Sequence, residues 1–316
     1  MIRLSHLLCS LFFVSLFLLI GCDSLRNEVD PSQLTREPAK IVVTCFLSPQ
    51  DLVLAAKVTQ TQTVLSPSQG AAGVNPVVNA TVKLSEGNKF VFLQYDASLD
   101  LYRADSKKLP VVAGRTYTLT VQIPKRQPLT STCTVPEAVN LASAVFDSIT
   151  EEQSGRQYRR YFVRARWQDP AGKPNFYQVT GLFRSVLTCS SCESNSGGQT
   201  AEAVSYVSFE PGEGNVQRDA AMQGRMMTSE PGYVSSLYVD NKQPTPFRRQ
   251  YKRALVILNL LNTDQFYYAY QNGIRQQAET AGNPFAEPVP IPSNIKGALG
   301  CFGAYNRSTL SMRLIK

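Results

Sequence analysis

The chain has 316 residues, and 32 lysines and arginines against 24 aspartates and glutamates give it a net charge of +8. Hydrophobic residues make up 43% of the sequence, so it can bury a sizeable core, and the length suits two domains. The only histidine is His6, which lies in a segment that we expect to be cleaved off. The sequence therefore argues against Ser-His-Asp catalysis, Cys-His catalysis and histidine-ligated metals, and we expect no cofactor and no catalytic residue.

The first residues have the pattern of a secretory signal. Arg3 precedes an apolar run over residues 7–20, which is shorter than the roughly 20 residues of a comfortable membrane span. The run ends in Leu19-Ile20-Gly21-Cys22, which resembles the bacterial lipobox. We expect residues 1–21 to be removed and Cys22 to carry the lipids that anchor the protein in a membrane. An ordinary signal followed by a chance cysteine is the alternative.

Residues 22–40 are polar and include two prolines, as in a flexible tether, which at this length spans roughly 25 Å. Removing residues 1–21 takes away Arg3 and no acidic residue, so 32 − 1 = 31 basic residues remain against 24 acidic ones and the charge becomes +7. For an exported protein we expect the partner of a basic surface to be a membrane or an acidic protein, and not nucleic acid. A basic surface that is merely solvated is the alternative.

Residues 41–136 predict a small antiparallel β-sandwich, immunoglobulin-like or transthyretin-like. Gly87-Asn88 between two alternating runs is a hairpin signal. Residues 116–123 alternate strictly, so one face of that strand is apolar; its members are Tyr117, Leu119, Val121 and Ile123. Turn signals recur about every 10 residues and no helical pattern interrupts them, as in β-sandwich domains.

Residues 145–316 predict a second β-rich domain, so the predicted fold class is mainly β, with two antiparallel sandwich-like domains. Residues 159–169 alternate, with one apolar face formed by Tyr161, Val163, Ala165 and Trp167. The opposite face carries Arg160, Arg164, Arg166 and Gln168, which is typical of a solvated strand, with a ligand-binding stripe as the less common alternative. Residues 254–261 are apolar on both faces, which indicates a central strand covered on both sides.

One helix is predicted at about residues 264–280, near the C-terminus of the second domain. Asn262 or Thr263 is the predicted N-cap. Residues at i, i+4 spacing predict the buried stripe; they are Phe266, Tyr270, Ile274 and Ala278. Such an aromatic stripe is far more often core packing than a ligand cage.

Five cysteines remain after the signal and the lipidated Cys22. Cys189 and Cys192 form a CxxC motif, but neither a second CxxC for zinc nor a thioredoxin-like unit accompanies it. A local disulfide is therefore our first interpretation, in an oxidising compartment. Cys45 and Cys133 lie in the first and last strands of the first predicted domain and are a second candidate pair. Cys301 is left over and is expected to be buried as a small apolar residue.

The densest basic run lies just before the predicted central strand. Its members, Arg248, Arg249, Lys252 and Arg253, form a candidate basic surface at the exposed start of that strand. Binding of a phosphate is one interpretation, and a solvated turn is the other.

Several stretches together resemble a known family. In the C-terminal region these are Phe266-Tyr267-Tyr268, Asn283-Pro284-Phe285-Ala286-Glu287-Pro288, Ser293-Asn294-Ile295 and residues 297–305; in the N-terminal half they are Asn79-Ala80-Thr81-Val82 and residues 114–121. They are similar to the domain-of-unknown-function family numbered 4249, lipoproteins of Bacteroidota, over essentially the whole mature chain. Ala298 stands where the family tends to glycine, and Cys301 where it tends to an aliphatic residue. Both departures fit changes in packing.

The family has no established activity, but the resemblance implies outer-membrane lipoproteins that accompany TonB-dependent receptors. We therefore expect a non-catalytic lipoprotein, lipid-anchored in the outer membrane, that helps such a receptor to capture or admit a ligand. A structural or adhesive surface lipoprotein is the alternative. A hydrolase that uses a carboxylate pair comes third, since the sequence has no GxSxG, P-loop or HExxH motif. Whether the protein faces the cell surface or the periplasm stays open.

Overall fold

The computed structural model describes residues 39–61, 75–188, 202–209, 215–219, 224–239, 246–280, 283, 285–287 and 289–315. From residue 40 onward, the described residues belong to one compact unit. The predicted signal peptide, the lipidation site Cys22, nearly all of the tether and the CxxC cysteines Cys189 and Cys192 lie outside the described residues. Those predictions stay predictions.

The fold is mainly β, as the sequence predicts. The strands of the described residues are β1 (Ile41–Leu47), β2 (Val53–Gln60), β3 (Asn75–Pro76), β4 (Thr81–Glu86), β5 (Lys89–Asp96), β6 (Leu101–Asp105), β7 (Thr116–Gln122), β8 (Leu129–Thr134), β9 (Leu141–Gln153), β10 (Arg156–Gln168), β11 (Phe176–Leu187), β12 (Glu202–Tyr206), β13 (Ser208–Phe209), β14 (Asn215–Arg218), β15 (Met226–Thr228), β16 (Gly232–Tyr238), β17 (Tyr251–Thr263) and β18 (Leu299–Ile315). Two α-helices, α1 (Pro246–Gln250) and α2 (Gln265–Thr280), and a 3-10 helix at Ser106–Lys108 complete the described elements.

The N-terminal strands surround the first hydrophobic core. In sheet order they run β1-β2-β6-β5-β4-β7-β8, and neighbouring strands in this series are antiparallel. The alternation of β7 is confirmed, because Tyr117, Leu119, Val121 and Ile123 are all buried. The core that they join also contains Phe302 and Ala304 from β18, far along the chain.

The second core lies between two sheets. One wall is β12-β11-β17-β18, and the other is the sheet β13-β16-β10-β15, with β9 paired to β10. The predicted apolar face of β10 is confirmed, since Tyr161, Val163, Ala165 and Trp167 are buried. The central position predicted for residues 254–261 is also confirmed, because β17 pairs with β11 on one side and with β18 on the other. The predicted cover on both faces is incomplete, since residues 255, 257 and 259 are only half-buried.

A single strand, β18, contributes to both cores. Its first half pairs in parallel with β1, from Val42 opposite Leu299 to Leu47 opposite Ala304. Its second half pairs antiparallel with β17, beginning with Thr263 opposite Tyr305. The two hydrophobic clusters are therefore joined by the continuous backbone of β18. The predicted division into domains at residues 41–136 and 145–316 stays a prediction.

The predicted position of the helix is confirmed, but its predicted buried stripe and N-cap are wrong. Helix α2 buries Tyr267 and Gly273, whereas Phe266 and Ile274 are 37% and 38% exposed. The helix lies against β1 and β18 with the ring of Tyr267 4.9 Å from that of Phe46. Spacing within the helix gives the width of an apolar stripe, but the neighbouring strands decide which residues face inward. No helix of the described residues is long and apolar enough to cross a membrane.

Candidate functional site

The main candidate site is a cleft of about 480 Å³ at the N-terminal end of α2. Its walls come from the turn at Gly114, the end of β8 with residues 134–137, the loop 173–175 that leads into β11, the end of β17 and the start of α2. These segments are far apart in sequence. The cleft exists because β17 ends next to the segment that follows β8, where Asn262 contacts Glu137.

Asn262 lines the cleft and is only 3% exposed. Its Nδ2 donates a hydrogen bond to the carbonyl oxygen of Glu137 at 2.8 Å, which fixes the orientation of the amide. Its Oδ1 is buried and has no hydrogen-bond partner among the described residues. Leaving a buried acceptor without a partner costs roughly 1–3 kcal/mol, so a donor that reached this atom would gain a strong contact.

Asp264 caps helix α2 from the edge of the cleft. Its Oδ1 accepts from the backbone N–H of Tyr267 at 2.7 Å, and its Oδ2 accepts from the N–H of Ala304 at 3.0 Å. Burial raises the pKa of Asp264 to about 6, while hydrogen bonds from the backbone of Tyr267, Ala304 and Phe266 act in the opposite direction. Because this carboxylate already occupies the helix terminus, the cleft is not an anion site of the helix-terminus kind.

The wall formed by loop 173–175 is held by two buried carboxylates. Asp219 Oδ2 accepts from the backbone N–H of Asn175 at 2.9 Å, and Asp169 Oδ1 accepts from the hydroxyl of Tyr177 at 2.6 Å. The side-chain amide of Asn175 donates to the carbonyl oxygens of Pro170 and Lys173, both at 3.1 Å. These bonds fix the loop that carries Lys173 and Phe176 into the cleft.

The lining of the cleft contains hydrogen-bond acceptors, one cationic side chain and aromatic side chains. Glu137 and Lys173 both line it, and neither forms an ion pair with another described residue. Phe176 and Phe266 also line the cleft and supply apolar surface. Such a lining suits a polar organic molecule that carries hydrogen-bond donors. Over the described part of the chain, no cluster of three metal-ligating side chains is found.

The sequence was compared with models of known protein families. The model of a family described as Domain of unknown function (DUF4249) matches residues 26–311. The chain belongs to the DUF4249 family. No curated protein matches the sequence of this DUF4249 protein.

The predicted basic residues of this DUF4249 protein lie on two consecutive elements. Arg248 and Arg249 lie on the short helix α1, which the sequence did not predict, and Lys252 and Arg253 are exposed at the start of β17. Arg253 lines a second, smaller depression of about 280 Å³ together with Arg184 of β11 and Arg313 of β18. The sequence analysis missed both partners, because strand pairing brings them together from positions about 60 residues or more away.

The Cys45–Cys133 disulfide is not formed, because both residues are free, buried thiols. The two strands are not neighbours in the sheet, since β1 pairs with β2 and β18, whereas β8 pairs with β7. Burial raises the pKa of both thiols, so neither is readily ionised for disulfide exchange. Cys301 is also free and buried, as the sequence predicts.

Proposed function

We propose that this DUF4249 protein is a non-catalytic, lipid-anchored outer-membrane protein that captures a small polar ligand as an accessory to a TonB-dependent receptor. The observation that carries the proposal is the cleft, whose lining includes Asn262, a residue with a buried Oδ1 that accepts no hydrogen bond from any described residue. A protein interior rarely leaves such an atom unpaired unless a water or a ligand completes it. The cleft is also large enough for a small molecule to be bound there.

The lining indicates what kind of molecule would be captured. The ligand would donate to Asn262 Oδ1 and to the carboxylate of Glu137, accept from Lys173, and lay an apolar face on Phe176 or Phe266. A neutral molecule with several hydroxyl or amide groups meets all of these conditions. A simple anion does not, because Glu137 and Asp264 would repel it.

The experiment is to purify the full chain from the cells that make it, denature it and identify the released small molecules by mass spectrometry. Asn262→Leu removes the unpartnered acceptor, and Asn259→Leu is the matched control on the same strand. Asn259 instead accepts from the hydroxyl of Thr309 on the outer face. We expect a retained molecule in the wild type and in the control, and a loss of at least tenfold in Asn262→Leu. Equal amounts in all three proteins would contradict the proposal.

The anchor is tested separately, on Cys22. Alkyne-tagged palmitate is expected to label the wild type and not Cys22→Ala, because the thiol and the new amine at this residue are the expected attachment points. Labelling of both proteins would contradict the proposal that lipids are attached at Cys22. Capture in the cleft would then still be tested by the variants of Asn262.

One observation favours the alternative of a structural or adhesive surface lipoprotein. Phe90 and Phe92 on β5 are 57% and 46% exposed, and their rings contact each other at 5.5 Å. Exposed aromatic pairs are common at contact surfaces. This alternative predicts that Phe90→Ser/Phe92→Ser weakens cell adhesion while ligand uptake stays normal. An unchanged adhesion assay would rule it out.

A further inference from the structure

Three arginines from three neighbouring strands border the smaller depression, which we call the arginine groove. Pairing of β11 with β17 places Arg184 opposite Leu255, and pairing of β17 with β18 places Leu255 opposite Arg313. Arg253 lies two residues before Leu255 and lines the same depression. All three arginine side chains belong to exposed residues, so they are accessible to a molecule from solution.

The groove carries more positive than negative charge. Arg184 Nε lies 3.2 Å from Glu202 Oε1, and both side chains are about half exposed. Within the described ranges, neither Arg253 nor Arg313 forms an ion pair or a side-chain hydrogen bond. Three arginines and one glutamate leave 3 − 1 = 2 uncompensated positive charges around a depression of about 280 Å³.

The floor of the arginine groove is apolar. Four apolar residues line the groove together with the arginines: Val186, Ala254, Leu255 and Ile315. Leu255 and Ile315 are half-buried and form the floor that a bound molecule can cover, whereas Val186 and Ala254 are buried. A cavity with a cationic rim and an aliphatic floor suits a molecule with an anionic head and a hydrocarbon part. An inorganic anion would use the rim and leave the floor empty.

We propose that the arginine groove binds a phosphate monoester whose hydrocarbon substituent lies on the apolar floor. A phosphate monoester carries about −1.5 to −2 charges at neutral pH, which matches the two uncompensated arginines better than a single carboxylate. The planar guanidinium group donates two parallel hydrogen bonds to phosphate oxygens, so arginine suits this head group better than lysine. The groove lies outside the cleft, and this proposal does not depend on the one made for the cleft.

The test is calorimetric titration of the full chain in a neutral detergent with butyl phosphate and with inorganic phosphate. We expect butyl phosphate to bind more tightly than inorganic phosphate, since only the ester covers Leu255 and Ile315. Arg253→Ala/Arg313→Ala is expected to weaken binding of butyl phosphate by tenfold or more. Equal affinities for butyl phosphate and inorganic phosphate would contradict the proposal that the hydrocarbon substituent lies on the apolar floor.

A matched control separates a site from general charge attraction. Lys89→Ala/Arg126→Ala also removes two positive charges, from exposed positions on β5 and in the turn between β7 and β8, and is expected to bind like the wild type. Glu202→Gln is expected to bind butyl phosphate several-fold more tightly, because it frees Arg184 from its partner. This gain cannot result from misfolding. Equal weakening in both double variants, or no change in any variant, would overturn the proposal.

A displacement experiment distinguishes a lipid head group from a soluble phosphate monoester as the natural ligand. Neutral micelles doped with phosphatidic acid should displace butyl phosphate from the wild type if the natural ligand is a lipid, whereas micelles doped with phosphatidylcholine should not. Binding of butyl phosphate without displacement by phosphatidic acid assigns the groove to a soluble monoester. No binding of any phosphate monoester would overturn the proposal.

Discussion

Gly300 on β18 lies directly opposite Val43 on β1, and the two backbones are so close that no side chain fits between them. A Cβ atom on Gly300 would clash with the carbonyl oxygen of Val43 and lie only 2.9 Å from its backbone nitrogen. Gly300 also has a φ of +111°, which L residues rarely adopt. This contact lies where β18 pairs in parallel with β1 and enters the first hydrophobic core.

Gly300→Ala is therefore expected to lower the free energy of unfolding by roughly 3 kcal/mol or more, since steric overlap adds to backbone strain. Chemical denaturation followed by circular dichroism measures this change. Gly87→Ala is the matched control, because Gly87 has a φ of +54° but no atom within 4 Å of an added Cβ. The control should lose only about 1–2 kcal/mol. Equal losses in the two variants would contradict the close approach to Val43.

Tyr267→Phe is expected to destabilise the protein by about 1–3 kcal/mol. The hydroxyl of Tyr267 donates to Gln178 Oε1 at 2.6 Å in a buried position, so the variant leaves that acceptor without its donor. Tyr268→Phe is the control on the same helix, since its ring packs on Phe176 and its hydroxyl makes no hydrogen bond with another described residue. Thermal unfolding should show a clear drop for the first variant and almost none for the second.

Asp264 predicts a pH dependence of stability. Burial raises its pKa in the folded protein to about 6, above the ordinary value of 3.8. Between these two values the folded state binds more protons than the unfolded state, so this group's contribution to stability falls as the pH rises from about 4 to 6. Relative to Asp264→Asn, which does not titrate there, the wild type should lose about 2 kcal/mol over that range, out of about 3 kcal/mol for the whole shift. A difference that stays constant with pH would contradict the raised pKa.

The buried thiols predict a labelling pattern. Cys45, Cys133 and Cys301 are free and buried, and burial raises the pKa of each. Maleimide should therefore modify none of them in the native protein and all of them in denaturant, as read by peptide mass spectrometry. A peptide pair joined by a Cys45–Cys133 disulfide would instead revive the interpretation made from the sequence.

The sequence predicts elements where one residue pattern decides the structure. The alternation of Tyr117 to Ile123 and of Tyr161 to Trp167 indicates the buried faces of β7 and β10, because side chains in a strand alternate between two faces. The apolar run 254–261 likewise predicts the central position of β17. These predictions need no knowledge of the partner strands.

The candidate sites could not be predicted in the same way. The cleft depends on the contact between Asn262 and Glu137, which are separated by 125 residues. The arginine groove depends on the register that places Arg184 and Arg313 on either side of Leu255. The buried face of α2 depends on Phe46 of β1 meeting Tyr267. Pairing over such distances is not encoded in any local pattern.

The most direct test of the proposed function is a pull-down of the tagged protein, in mild detergent, from membranes of the cells that make it, quantified by mass spectrometry. An unrelated tagged lipoprotein from the same membrane is the control. We expect a large β-barrel receptor in near-stoichiometric amount with this protein and not with the control, and a loss of uptake through that receptor when the lipoprotein gene is deleted. Recovery of the lipoprotein without such a partner, together with unchanged uptake after deletion, would contradict the accessory role.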